Sequence, residues 1–209
     1  MAQAKLRAEL DAAELPFPAS FAETKDLQYL DAVIKEGLRM HPPVGTILER
    51  VVPSSGLPLP DGRVIAPGTI VGMNQWITSR NKKVYGDDAD VFRPERWLRG
   101  DDEASAAYEA RLKMMKEGDL SFGGGNRKCT GRHMAAMEMF KVTATLFSRY
   151  DVSGMTPEDR LYSDCSGMCY SMLRLFLQME LEDPSMDWTV HLWWFVFTKN
   201  IQVKISRRS

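Results

Sequence analysis

The 209-residue chain has no excess of either charge, with 27 Lys and Arg against 28 Asp and Glu and a formal net charge of -1. A nucleic-acid binder draws on a basic excess to displace counterions from phosphates, and a polybasic membrane-surface protein needs the same excess, so neither class fits. Long hydrophobic runs are missing too. The longest candidate, Leu192 to Phe197, falls far short of the roughly 18 apolar residues that cross a bilayer. The first ten residues are charged helix formers without the apolar centre of a secretory signal. Cysteine is scarce, at Cys129, Cys165 and Cys169, and the odd number argues against a disulfide framework and for a reducing compartment. Repeats and low-complexity tracts are absent, and 44% hydrophobic with 26% charged residues is an ordinary globular composition, enough for one domain or slightly more.

What is present is a sequence of helix-like and strand-like periods. Ala2 to Leu15 reads as a helix ending before Pro16 and Pro18. Thr24 to Met40 carries Leu27, Leu30, Ile34 and Leu38 on one helical face and closes at Pro42-Pro43. Ile47 to Val52, Gly56 to Val64 and Thr69 to Trp76 read as short strands, punctuated by Pro53, by the hairpin signal Asp61-Gly62 and by Pro67-Gly68. Asn81 to Gly100 is poorly periodic, Ala104 to Lys116 is a polar helix, and Gly131 to Ser148 is a second strong helix. Val190 to Ile205 reads as two strands around a Lys199-Asn200 turn. The expected class is α+β, dominated by helix.

Three features carry chemistry. Glu36 and Arg39 sit at i and i+3, where carboxylate and guanidinium project together; spacing alone fits a solvated helix pair worth a few tenths of a kcal/mol. In Phe92-Arg93-Pro94-Glu95-Arg96-Trp97 the proline and aromatics can fix an irregular segment with an inward basic side chain, for which Glu36 is one available partner; a surface loop with an aromatic anchor fits equally. The third feature runs from Ser121 to Arg132 through Gly123-Gly124-Gly125 and Cys129. Three residues without Cβ atoms let the backbone turn tightly and approach a flat ligand. A cysteine at the start of a helix faces unpaired amide N–H groups and the positive end of the helix dipole, which favour the thiolate, the metal-ligating form. Arg127 adds a cation beside it. The phosphate-loop and dinucleotide spacings are absent. Zinc is a competing reading, since Cys129-x3-His133 and Cys165-x3-Cys169 offer four ligands.

In chain order, Glu36-x-x-Arg39, Pro94-Glu95-Arg96-Trp97 and Phe122-x-x-Gly125-x-Arg127-x-Cys129-x-Gly131, with Ala66-Pro67-Gly68-Thr69 between, resemble the signature set of the cytochrome P-450 family. The style of Pro94 to Trp97 and of Asp187 to Val203 is similar to fungal microsomal members. The resemblance implies the C-terminal part of that fold, with small β-sheets, and a haem-thiolate monooxygenase that inserts one atom of dioxygen into a small apolar substrate using electrons from a reductase. It implies haem b held by Cys129 as proximal thiolate, with Arg127 and Arg50 on the propionates, Phe122 shielding the sulfur, and Gly125 and Gly131 completing the motif around the cofactor. Glu36, Arg39 and Arg96 would form a buried structural network, and Val44 to Leu48 would line the distal cavity.

The resemblance covers residues 1–152 and about 180–209, less than half of the family fold. On that reading the membrane anchor that places full-length members at the endoplasmic reticulum falls outside this chain, as does the distal helix with its proton-delivering acid and alcohol, so no catalytic residue is assigned and the chain alone is expected to be inactive. The non-enzymatic alternative is a haem- or zinc-binding remnant. Residues 153–179, with Cys165, Cys169 and four of the 13 methionines, interrupt the pattern. A lineage-specific loop accommodates them, but so apolar a stretch reads better as a translated intron.

Overall fold

The computed structural model describes residues 2–154, 189–192, 196–199 and 203–208. Helix α1 (Ala2–Ala12) is followed by the single turn α2 (Phe21–Thr24) and by α3 (Gln28–Met40). The expected continuous helix from Thr24 is therefore two. α2 has its own capping box, in which the Ser20 side chain accepts from the Glu23 N–H and Glu23 reaches back to Ser20. α3 starts at Leu27, whose side chain offers no cap. A neighbouring element supplies the missing acceptor: the Glu9 carboxylate of α1 takes the N–H groups of Tyr29 (2.8 Å) and Leu30 (2.9 Å), placing negative charge at the positive end of α3.

Strand β1 (Ile47–Val51) pairs antiparallel with β4 (Ile70–Asn74), Leu48 opposite Met73 and Arg50 opposite Val71. Between them β2 (Leu57–Pro58) and β3 (Val64–Ile65) form a hairpin around Asp61-Gly62, where Gly62 takes φ +86°. The turn falls where the sequence puts it, but the strand expected over Gly56 to Val64 is this hairpin of two-residue strands. β4 ends at Asn74, whose side chain accepts the Trp76 N–H at 2.8 Å and starts α4 (Gln75–Thr78). A one-turn α5 (Lys82–Tyr85), a 3-10 turn (Pro94–Trp97) and α6 (Ser105–Gly118) lead to a second 3-10 turn (Gly125–Arg127) and the long α7 (Arg132–Arg149).

β5 (Tyr150–Gly154) pairs antiparallel with β8 (Val203–Arg207), and β6 (Thr189–Leu192) with β7 (Val196–Lys199). The strands on either side of the expected Lys199-Asn200 turn therefore take other partners than each other. Residues 155–188, which hold most of the interrupting segment with Cys165 and Cys169, lie outside the described residues.

One core lies between α1, α3 and α7, where Leu6, Leu10, Leu30, Val33, Ile34, Leu38, Met139, Phe140, Ala144 and Phe147 are buried. A second, on the opposite side of α3, gathers Ala32, Tyr85, Ala89, Trp97 and Met115. α3 is thus buried on both faces, and its polar face meets protein instead of water. No helix among the described residues is long and apolar enough to cross a membrane.

Candidate functional site

The buried polar face of α3 gathers a network of charged side chains. Glu36 is fully buried, and Arg39 and Arg96 are each 2% exposed. Arg39 grips Glu36 through two parallel bonds, Nε to Oε2 at 2.9 Å and Nη2 to Oε1 at 2.8 Å. Arg96 Nε reaches Oε1 at 2.8 Å across sixty residues of sequence. Trp97 Nε1 donates to Oε2 at 2.9 Å and the Arg93 backbone N–H donates to Oε1 at 2.8 Å. The remaining guanidinium hydrogens go mainly to backbone, Arg39 to Ser79 O (2.8 Å) and Ala89 O (2.5 Å) and Arg96 to Tyr85 O, Asp88 O and Val91 O, while Arg96 Nη1 also meets Asp88 Oδ1 at 3.2 Å and Arg39 Nη2 the Met40 sulfur at 2.9 Å. Every charge in this network has both an ionic partner and hydrogen bonds, the condition under which buried ions are tolerated. The triad expected from the motifs is present, and the solvated-pair reading of Glu36 and Arg39 is excluded by their burial. Trp97 and the Arg93 amide are additions that spacing does not show, because they depend on the 3-10 turn presenting both groups to one carboxylate.

In the chain, the glycine loop follows the Pro94–Trp97 turn and α6 and leads into α7. Gly123 (φ +73°) and Gly125 (φ +59°) occupy the left-handed region that side-chain-bearing residues avoid. Gly123 N–H closes a turn on Leu120 O at 2.8 Å, and Cys129 N–H returns to Phe122 O at 2.8 Å, so the cysteine folds back beside the start of its own loop. Asp119 Oδ1 steadies the entrance by accepting the Ser121 N–H (2.9 Å) and hydroxyl (2.5 Å). Phe122 is half-buried against the main core. Cys129 is a free, exposed thiol two residues before Gly131, the N-cap of α7. A Cβ on Gly125 would meet nothing within 4 Å, and one on Gly131 would meet the Cys129 sulfur at 3.9 Å.

The other expected residues fall around this loop. Arg127 is exposed and makes no hydrogen bond or ion pair among the described residues. Leu48 Cδ1 comes within 4.0 Å of the position a Gly123 Cβ would take, which brings β1 against the loop. Arg50, two residues further along β1, shares the Leu48 face of the sheet and donates from Nη1 to Glu49 O at 2.6 Å. The face of β1 and the cysteine loop are therefore neighbours, although some seventy residues separate them. His133 is exposed in the first turn of α7, and among the described residues no group of three His, Cys, Asp or Glu side chains stands close enough to hold a metal ion. An exposed thiol on a loop of residues without Cβ atoms, with a guanidinium two residues away, leaves room for a flat anionic ligand, while Cys165 and Cys169 of the zinc reading lie outside the described residues.

Sequence comparisons point the same way. The sequence model of the family described as Cytochrome P450 matches residues 1–174. A cytochrome P450 monooxygenase, cfoH, of Aspergillus candidus is 39% identical over 205 residues, covering 98% of this chain and 33% of the relative. A cytochrome P450 monooxygenase of Aspergillus terreus is 48% identical over 153 residues, 71% of this chain and 30% of its own length. A pisatin demethylase of Fusarium vanettenii is 35% identical over 191 residues, 91% of this chain and 30% of its own length. The chain spans about a third of the length of the curated relatives it matches. With the Glu36 network, the cysteine loop and the family match in agreement, the chain belongs to the cytochrome P450 family.

Proposed function

We propose that this chain contributes the cysteine-bearing part of a haem-thiolate monooxygenase, in which the Cys129 thiolate would hold the iron of haem b. The observation that carries the reading is the Cys129 loop: two left-handed glycines and the Cys129 to Phe122 hydrogen bond hold an exposed sulfur above backbone that lacks Cβ atoms. Haem, when bound, supplies the iron chemistry that inserts an oxygen atom from dioxygen into substrate.

The chain's own residues bind and orient. Cys129 donates the thiolate, and Gly123, Gly125 and Gly131 leave room for the macrocycle. Phe122 shields one side of the sulfur from water, which tunes the ligand's donor strength. Arg127 and Arg50 take the propionates as charge-assisted partners, consistent with the free guanidinium of the first and the loop-facing strand position of the second. Val44 to Leu48 sit at the substrate side of β1. Electrons come from a reductase, the substrate is small and apolar, and the place of work is the endoplasmic reticulum membrane, as for full-length family members. The 209 residues expressed alone are expected to show no sustained substrate-dependent oxygen uptake, because the thiolate supplies only electron donation, and oxygen activation also needs a dry pocket and a controlled proton supply.

The test is spectral. Haem-reconstituted chain, reduced and exposed to carbon monoxide, should give the red-shifted band of thiolate-ligated iron; Cys129→Ser should abolish it, and Cys165→Ser and Cys169→Ser should leave it in place. Loss of the band in either of the latter variants, or its survival in Cys129→Ser, overturns the assignment.

A further inference from the structure

Gln75 is 2% exposed, yet only half of its amide is used. Its Oε1 accepts the Leu120 backbone N–H at 2.8 Å and the Thr78 hydroxyl at 3.3 Å, while Nε2 has no hydrogen-bond partner among the described residues. The Leu120 bond fixes which end of the amide is oxygen. A buried N–H without a partner loses about as much as one hydrogen bond gains, so the side chain contributes little net stability where it stands. What it does contribute is position. Leu120 O in turn accepts the Gly123 N–H at 2.8 Å, and Phe122 O accepts the Cys129 N–H at 2.8 Å. Gln75 also follows directly on Asn74, the residue of β4 that pairs with Ile47 of β1.

We infer that Gln75 is a positioning residue for the cysteine loop, anchoring its entrance to the end of β4 so that Cys129 and the β1–β4 sheet keep one fixed relation. Leu48 Cδ1, 4.0 Å from where a Gly123 Cβ would stand, shows that β1 runs close to the same loop. The effect expected at the iron rests on the haem-thiolate reading; the effect on the loop does not.

Residue-resolved amide hydrogen exchange on the full 209-residue chain tests this. Gln75→Met keeps the side-chain length and removes the acceptor; Gln75→Glu keeps an acceptor oxygen and removes the idle N–H. Gln75→Met should accelerate exchange at Leu120, Gly123 and Cys129 by about fivefold or more, the worth of one lost hydrogen bond, with the Phe147 amide in the main core unchanged. Gln75→Glu should restore protection at Leu120. Should Gln75→Met not fold, Gln75→Asn, too short to reach Leu120, gives the same comparison. Unchanged exchange at Gly123 and Cys129, or equal acceleration in the main core, overturns the proposal. In the haem-loaded chain Gln75→Met should also broaden or shift the thiolate band, and Gln75→Glu should recover it. Failure of the haem reading is seen separately, as a Cys129→Ser variant that keeps its spectrum while the exchange pattern stands.

Discussion

At the scale of single residues, the molecule depends most on Glu36. One carboxylate receives two arginines, an indole and a backbone amide, so α3 and the segment around the Pro94–Trp97 turn are locked together through it. Removing Arg39 would leave that carboxylate buried and short of its bidentate partner, and would strand the carbonyls of Ser79 and Ala89. Arg39→Ala is therefore expected to lose about 3 to 5 kcal/mol in urea unfolding. A loss below about 1 kcal/mol would show that the network is dispensable. Arg39→Lys should recover little, since an ammonium cannot reproduce the parallel pair of bonds. The Glu36, Arg39 and Arg96 meeting was legible because all three lie in patterns whose order along the chain is distinctive. Trp97 and Gln75 were not. Their roles arise from hydrogen bonds to groups far away in sequence, and a lone polar residue after a strand carries no periodic signal.

At the scale of elements, the instructive case is the start of α3. Sequence periodicity runs from Thr24 to Met40 without a break, yet the chain leaves helical geometry between Thr24 and Gln28. Periodicity reports which side is apolar; it does not report where backbone donors find acceptors. The acceptor is Glu9, from α1, and a cap supplied by another helix leaves no local signature. Glu9→Ala should cost about 1 kcal/mol, somewhat more if the Tyr29 and Leu30 amides stay dry, and should speed exchange at those two amides before any other in α3. Equal fraying along the whole of α3 would contradict the cap. Strand pairing was legible where turn chemistry is local, as at Asp61-Gly62. The β5–β8 pairing was not, because the two strands are joined by a long stretch of sequence with no local turn signal to pair them.

At the scale of the whole molecule, α1 ties distant parts of the chain together. Gln3 Nε2 donates to Val152 O at 2.9 Å, Lys5 pairs with Glu95 at 2.7 Å, Arg7 with Asp151 at 3.0 Å, and Arg208 grips Asp11 through two bonds of 2.9 Å. The Arg208 hydrogen bonds hold the Asp11 carboxyl below its ordinary value of 3.8. A depressed carboxylate contributes its stability above the unfolded value and loses it as pH falls through the folded one. The pair lies at the surface and is worth under about 1 kcal/mol. Arg208→Ala should thus lower Tm modestly at neutral pH and make no difference once pH is well below 3.8, where the wild-type pair is already lost; an equal effect at both pH values would contradict the linkage. The same arrangement dictates a timetable for synthesis. Leu6 and Leu10 bury against α7 as well as α3, and at roughly 5 to 20 residues per second the ribosome completes α7 roughly 7 to 27 s after α1. Throughout that interval α1 presents an apolar stripe with only part of its resting place made, so the nascent chain stays open to chaperones until α7 emerges.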